Sequence, residues 1–146
     1  GRALAFSGGG AMGPLYGTAF LEGGRVFSGK ESLSIEDLGM FLVAFEEGIV
    51  KRGNAKPGEK TMLDTVHPAV EAMKEGISRI KDSGKVALEG VISQVIEAAR
   101  TGMESTKDMV STRGRSSRLG ERSVGHIDPG AASSYILIKA FLEGLY

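Results

Sequence analysis

The chain has 146 residues, of which 18 are Lys or Arg and 18 are Asp or Glu, so its formal net charge is zero. This length is typical of one domain, and a zero net charge argues against a protein built to coat nucleic acid or an anionic membrane. The absence of cysteine excludes disulfides, thiol nucleophiles and Cys-ligated zinc. No apolar run approaches the roughly 18 residues that span a bilayer, and we expect a cytoplasmic protein.

Two helices are predicted in the first third of the chain. Residues Ser7–Gly13 read S-G-G-G-A-M-G and predict a glycine loop, which leads into a helix with apolar residues from Leu15 to Leu21. A capping-box-like run at Ser34–Asp37 then starts a helix over about residues 35–52, which we expect Gly53 to end.

Two more helices are predicted after a turn over residues 54–60. Thr61 with Asp64 has the pattern of a helix N-cap, and the long helix that follows is expected to kink at Pro68 and to stop at Asp82–Gly84. The next helix is predicted from Val86 to about Met109.

Residues 111–130 show no periodicity and predict a long loop, which in a compact domain is usually functional. Asp128 is expected to cap a last helix in which Pro129 takes the first position. That helix reaches Tyr146, is apolar on nearly all sides and is expected to be central. Since no segment alternates with period two, the predicted class is all-α with about five helices.

Three glycine-rich patterns suggest enzyme motifs, and each lacks a required part. Gly8, Gly10 and Gly13 match G-x-G-x-x-G, but no convincing strand precedes them. Residues 24–31 resemble a Walker P-loop, except that Glu31 stands where a hydroxyl should reach the magnesium ion. Residues 7–13 also resemble the oxyanion loop of patatin-type hydrolases, yet the sequence has no G-x-S-x-G.

Four arginines within ten residues leave three interpretations open: a solvated loop, a phosphate clamp or a nucleic-acid patch. No aromatic residue lies among them, which disfavours base stacking. The two histidines lack the spacing of a metal site. His67, beside Pro68, is expected to be structural, whereas the role of His126 stays open. The four arginines are Arg113, Arg115, Arg118 and Arg122.

Three ordered motifs together resemble one family. They are G-G-A-M-G-P-L-Y-G-T at 9–18, K-P-G-E-K-T-M-L-D at 56–64, and G-R-S-S with G-E-R-S-V-G-H-I-D-P-G-A within 114–131. Over nearly its whole length the chain resembles the nucleotide-binding L subunit of dihydroxyacetone kinase. The resemblance implies a single domain over residues 1–146, built as an antiparallel barrel of eight α-helices that binds ADP or ATP and Mg²⁺ at one end.

The resemblance also assigns nucleotide-binding roles to individual residues. Backbone at Ala11 and Met12 would meet the phosphates, although many relatives carry Ser or Thr near Met12, so only the amide contact is expected there. Arg115 would bind phosphate, and Gly53 and Met62 would line the adenine pocket. The segment that closes the site corresponds to Asp128, Pro129 and Gly130. No catalytic residue and no metal ligand is assigned within this chain.

The family's magnesium ligands are aspartates of a G-D-x-D-H-G motif upstream of the glycine loop, and this sequence does not contain that motif. The first residue is Gly1 and not Met. We therefore expect that an N-terminal portion of one to three helices is missing, which accounts for about five helices in place of eight.

The function implied by the resemblance is phosphoryl transfer through a bound nucleotide. ADP would be rephosphorylated by a phosphohistidine carrier, the M subunit of the phosphotransferase system, and would pass its γ-phosphoryl group to dihydroxyacetone held on a separate K subunit. A homodimer is a further expectation, and neither nucleic acid nor a membrane is an expected partner. Two alternatives remain: a regulatory relative that binds nucleotide and transfers nothing, and an ATP-dependent kinase domain for another triose or tetrose.

Overall fold

A computed structural model describes residues 10–83 and 88–145. All regular elements within these ranges are helical, so the predicted all-α class is confirmed, and five α-helices lie within them. They are α1 (Met12–Val26), α2 (Ile35–Gly53), α3 (Leu63–Ser83), α4 (Leu88–Ser105) and α5 (Pro129–Glu143), with 3-10 helices at Thr106–Asp108 and Arg115–Ser123.

The chain divides into two compact units after Asn54. The first unit contains α1 and α2, and the second contains α3 to α5 with both 3-10 helices. The single domain and the barrel arrangement stay predictions. Four predicted features lie outside the described residues: Ser7–Gly9 of the glycine loop, the helix stop at Gly84, the helix start at Val86 and the chain end at Tyr146.

Helices α1 and α2 of the first unit pack antiparallel. Glycines allow the close approach, because a Cβ at Gly48 would lie 2.7 Å from the Cα of Ala19. The rings of Phe20 and Phe45 then meet edge to face with their centroids 5.0 Å apart. Three pairs of neighbouring positions show that the two helices run in opposite directions, namely Gly53 with Leu15, Gly48 with Ala19, and Gly23 with Phe41.

The predicted capping box starts α2. The Ser34 hydroxyl accepts a hydrogen bond from the Asp37 amide at 3.2 Å, and the Asp37 carboxylate accepts one from the Ser34 amide at 3.0 Å. An ion pair with Lys30 and these bonds hold the pKa of Asp37 below its ordinary value. At its other end α2 includes Gly53 and stops at Asn54, which adopts the left-handed conformation with φ 49°.

In the second unit, α3 continues through Pro68 and α4 packs against it. Pro68 has no N–H, so it cannot donate to the Asp64 carbonyl one turn earlier. A Cβ added at Gly102 of α4 would overlap that same carbonyl oxygen. The two helices thus approach each other closely where the hydrogen-bond ladder of α3 is interrupted, and this approach requires glycine at position 102.

Three sequence expectations about the second unit are corrected. Helix α4 ends at Ser105 and not near Met109, because a 3-10 turn follows. The predicted loop over residues 111–130 contains the 3-10 helix Arg115–Ser123, which Gly120 interrupts at φ 53°. Because the turns of this 3-10 helix are short and polar, its sequence shows no apolar periodicity. The last helix is not covered on all sides by protein, since Ile136 is 63% exposed.

Helix α5 buries one face only, formed by Ala131, Ser134, Ile138 and Leu142. The steps of three and four residues between them place these side chains on a single stripe. Among the described residues, no helix combines the length and the apolar character needed to cross a membrane.

Replacing Gly102 with alanine tests the close approach of α3 and α4. The added Cβ would collide with backbone, so we expect Gly102→Ala to lower the free energy of unfolding by about 1–3 kcal/mol or more. Gly90→Ala on the same helix is the matched control, because its Cβ would meet nothing within 4 Å. Denaturant unfolding that shows equal stability of the two variants would contradict this packing.

Candidate functional site

The motif at residues 56–64 forms a turn that closes on Asp64. The Asp64 carboxylate accepts hydrogen bonds from the amides of Gly58 at 2.5 Å and Thr61 at 2.7 Å. The Thr61 hydroxyl in turn accepts one from the amide of Leu63, the first residue of α3. The predicted cap of Thr61 and Asp64 is therefore confirmed, and it fixes the backbone that carries residues 58–62.

Lys60 lies in this turn and is buried, with only 3% of its surface exposed. Its ammonium group donates three hydrogen bonds to backbone carbonyls, at 2.7 Å to Thr106, 2.6 Å to Ser123 and 2.5 Å to His126. An ammonium has three donors, so each one has a partner. This arrangement satisfies a buried charge with peptide dipoles.

Glu59 fixes the same turn to the arginine-rich segment from outside. Its carboxylate accepts a paired hydrogen bond from the Arg113 guanidinium, at 3.0 and 3.1 Å, and another from the Lys56 amide at 2.8 Å. The bond with Arg113 is the main cause that holds the pKa of Glu59 below its ordinary 4.5. Arg113, the first of the four arginines in the segment, is thus bonded to Glu59.

Arg115 begins the 3-10 helix two residues later and is exposed, as are Arg118 and Arg122. Gly114 precedes Arg115 and Gly120 follows Arg118, and a Cβ at either glycine would meet nothing within 4 Å. Both glycines have positive φ. Exposed guanidinium groups offer an anion both charge and hydrogen-bond donors.

The closing segment at 128–130 packs against the start of α3. The Asp128 carboxylate caps α5 by accepting a hydrogen bond from the Ala131 amide at 2.9 Å. The backbone amide of Asp128 donates a hydrogen bond to the Thr106 hydroxyl at 3.0 Å. A Cβ at Gly130 would lie 2.9 Å from that carboxylate and 3.4 Å from the Met62 nitrogen. Glycine at 130 therefore allows α5 to meet the turn before α3.

Burial is the main influence on the pKa of Asp128. Desolvation raises the pKa of Asp128 above its ordinary 3.8, while bonds from the Ala131 and Gly130 amides and the charge of Lys60 act in the opposite direction. The carboxyl is thus an internal part of the cap, directed at backbone amides.

In the first unit, α1 begins at Met12 with Ala11 as its N-cap, and both residues are exposed. Gly53 lies at the end of α2, where its Cβ would come within 2.9 Å of the Leu15 side chain. The antiparallel pair therefore brings Gly53 beside the first turn of α1. The positive end of the helix dipole at a helix start favours anions.

The profile of the family described as the DAK2 domain matches residues 1–143. The chain belongs to the DAK2 domain family. It is 44% identical over 135 residues to the ADP-binding subunit DhaL of PEP-dependent dihydroxyacetone kinase 1 from Listeria innocua, a match that covers 92% of this chain and 60% of the relative. It is 40% identical over 139 residues to the ADP-binding subunit DhaL of the Escherichia coli enzyme, covering 95% and 64%. The resemblance found in the sequence is confirmed.

A more distant relative carries a different name. The DAK2 domain is 35% identical over 145 residues to L-erythrulose 1-kinase from Mycolicibacterium smegmatis, covering 99% of this chain and 24% of that protein. The chain spans about three fifths of the length of the two ADP-binding subunits.

Within the DAK2 domain, the structure brings together some of the predicted site residues. Met62, Asp128 and Gly130 are neighbours in the second unit, with Pro129 between the last two as the first residue of α5. Met62 is only 4% exposed, so its side chain is largely covered by protein. Arg115 lies on the segment that Glu59 and Lys60 hold, and Gly53 lies beside the start of α1. The nucleotide contacts of all eight residues remain predictions.

Sequence reasoning missed the residues that organise this part of the DAK2 domain. Glu59 and Lys60 lie within the motif at residues 56–64, but no pattern in the sequence indicates that Lys60 is buried or that Glu59 pairs with Arg113. His126 takes part through its carbonyl, and its side chain is exposed. Within residues 10–83 and 88–145, no three His, Asp or Glu side chains are grouped to hold a metal ion.

The pair of Glu59 and Arg113 predicts a pH-dependent contribution to stability. Because the folded pKa of Glu59 is lowered, the contribution is present above the ordinary value of 4.5 and is lost as pH falls through the folded pKa. We expect Glu59→Gln to lower the melting temperature at neutral pH and to lose this effect in acid. Glu121→Gln, on the exposed 3-10 helix, is the control. A melting-temperature difference for Glu59→Gln that is independent of pH would contradict the pairing.

Proposed function

We propose that this chain is the nucleotide-binding part of a dihydroxyacetone kinase of the phosphotransferase-linked type. Bound ADP is phosphorylated by a phosphohistidine carrier subunit, and its γ-phosphoryl group passes to dihydroxyacetone held on a K subunit. The observation that carries the proposal is the 40–44% identity to two proteins named as ADP-binding subunits of PEP-dependent dihydroxyacetone kinases. A cytoplasmic location and a homodimer belong to the same proposal.

The described residues suit the part of this reaction that a nucleotide-binding domain performs. Phosphoryl transfer requires positioning and charge neutralisation more than covalent chemistry from the protein. Arg115 supplies an exposed cation at the start of the 3-10 helix. In this proposal Arg115 contacts the phosphates, and amides at Ala11 and Met12 contribute at the start of α1.

The remaining predicted residues have supporting roles. Asp128 and Gly130 form the cap at the start of α5, and Pro129 occupies the first helical position, where its missing N–H is not needed. Gly53 and Met62 are proposed to line the adenine pocket. Mg²⁺, when bound, would neutralise phosphate charge, and no step is assigned to it here because the described residues group no metal ligands.

A second candidate, a kinase for another triose or tetrose, is favoured by the similarity to L-erythrulose 1-kinase. A phosphoryl-transfer assay separates the candidates, with the protein mixed with the K subunit and with either dihydroxyacetone or another triose or tetrose. We expect product when the phosphorylated carrier is added and none with free ATP alone. Product from ATP without the carrier would favour the second candidate, and no transfer in either mixture would favour a regulatory nucleotide-binding protein.

Replacing Arg115 tests its contact with phosphate. We expect Arg115→Ala to weaken ADP binding by about 1–3 kcal/mol, the scale of a charge-assisted hydrogen bond. Arg118→Ala on the same exposed 3-10 helix is the matched control and should bind ADP nearly as well as the original protein. Calorimetric titration measures both affinities. If ADP binds equally to Arg115→Ala and to the unchanged protein, Arg115 does not belong to the site.

A further inference from the structure

We propose that Lys60 is a positioning residue of the nucleotide site, whose buried ammonium group holds the arginine-bearing segment 106–126 so that Arg115 is presented to the phosphates. This inference rests on the proposed binding of ADP. Lys60 itself is 3% exposed, and its three donors are all taken by protein carbonyls. It therefore acts through the segment and not by contact with the nucleotide.

The three acceptors lie on both sides of Arg115 in the sequence. Thr106 precedes the four arginines, Ser123 is the last residue of the 3-10 helix that begins at Arg115, and His126 follows that helix. A single ammonium group thus joins the two ends of the segment to each other. Since Lys60 lies two residues after Gly58 and three before α3, it also joins them to the turn fixed by Asp64.

The charge of Lys60 makes this connection stronger than neutral hydrogen bonds would be. Bonds from an ionised donor are roughly twice as strong as neutral ones. Lys60 also adopts φ 59°, a left-handed conformation that is unfavourable for a residue with a Cβ. The surrounding contacts hold it there, as is typical of backbone at functional sites.

Other bonds join the two ends of the segment to each other, and Glu59 bonds Thr112 and Arg113 of the segment to the turn before α3 from outside. The Gly125 amide donates to the Lys107 carbonyl at 2.7 Å, and the Ser111 amide donates to the Ser123 hydroxyl at 2.8 Å. Without the Lys60 ammonium these bonds would remain, whereas three carbonyls would lose a charged donor. The expected consequence is a segment that is still folded but more mobile relative to α3.

A segment that the protein already holds in its binding conformation loses less conformational entropy when a ligand binds to it. The Arg115 guanidinium is exposed while the ends of its segment are fixed in the interior. Lys60 therefore raises the affinity for a phosphate-bearing ligand, and it should have little effect on adenosine, which has no phosphate for Arg115 to bind.

The test is a double-mutant cycle with Lys60→Met and Arg115→Ala, measured by titration with ADP and with adenosine. We expect Lys60→Met to weaken ADP binding about tenfold or more, as expected for loss of charged hydrogen bonds, and to leave adenosine binding nearly unchanged. Arg115→Ala should cost much less ADP affinity in the Lys60→Met background than alone. Strictly additive losses, or an ADP affinity within about twofold of the original, would overturn the inference.

A core variant and hydrogen exchange distinguish a positioning role of Lys60 from a purely structural one. Val95→Ala creates a cavity at a fully buried position of α4 and should lower stability while ADP binding is retained. In Lys60→Met, amide exchange should accelerate in residues 106–126 more than in α4. Equal acceleration in both regions would contradict the positioning role. If Lys60→Met does not fold, Lys60→Gln, which keeps two N–H donors, replaces it with the same expected pattern.

The two proposals fail in different ways. An unchanged protein that binds no ADP would overturn the proposed function and the ligand role of Lys60 with it. Exchange in the segment would then still show whether Lys60 holds residues 106–126, since that measurement needs no nucleotide.

Discussion

A buried ammonium group must have hydrogen-bond acceptors around it, and this requirement organises the second unit of the chain. The acceptors of Lys60 are carbonyls from three places, Thr106, Ser123 and His126, so the end of α4, the end of a 3-10 helix and the approach to α5 converge on one atom. Desolvating the charge is costly unless all three bonds form. The position of the arginine segment therefore follows from where Lys60 is held.

The helices that hold Lys60 depend on close packing at glycines. Gly102 lets α4 approach the Asp64 carbonyl, and Gly130 lets α5 approach Met62. Asp64 fixes the turn that contains Lys60, while Asp128 caps α5 next to the same turn. Motif residues that resemble a ligand-binding pattern in the sequence thus include several that mainly position backbone.

Much of the fold was predictable from local signals. The box of Ser34 and Asp37, the cap of Thr61 and Asp64 and the pair of Asp128 and Pro129 each mark a helix start, because short polar side chains satisfy the first amides of a helix. Family membership was predictable from three motifs in a fixed order. Neither inference needs tertiary contacts.

Most of what sequence reasoning missed depends on tertiary contacts. A lysine is rarely fully buried, so nothing in K-P-G-E-K-T indicates that Lys60 is covered. The apolar composition of the last helix predicts that it is covered on nearly all sides, yet the structure buries a single stripe of α5 and leaves Ile136 exposed. The 3-10 helix Arg115–Ser123 was missed for a local reason, because its short polar turns show no apolar period.

The most direct measurement is a crystal structure of the protein with bound ADP. The account predicts the diphosphate within hydrogen-bond distance of the Arg115 guanidinium, with the Lys60 ammonium still bonded to the carbonyls of Thr106, Ser123 and His126. ADP bound away from Arg115, or Lys60 released from these carbonyls to contact the phosphates itself, would contradict it.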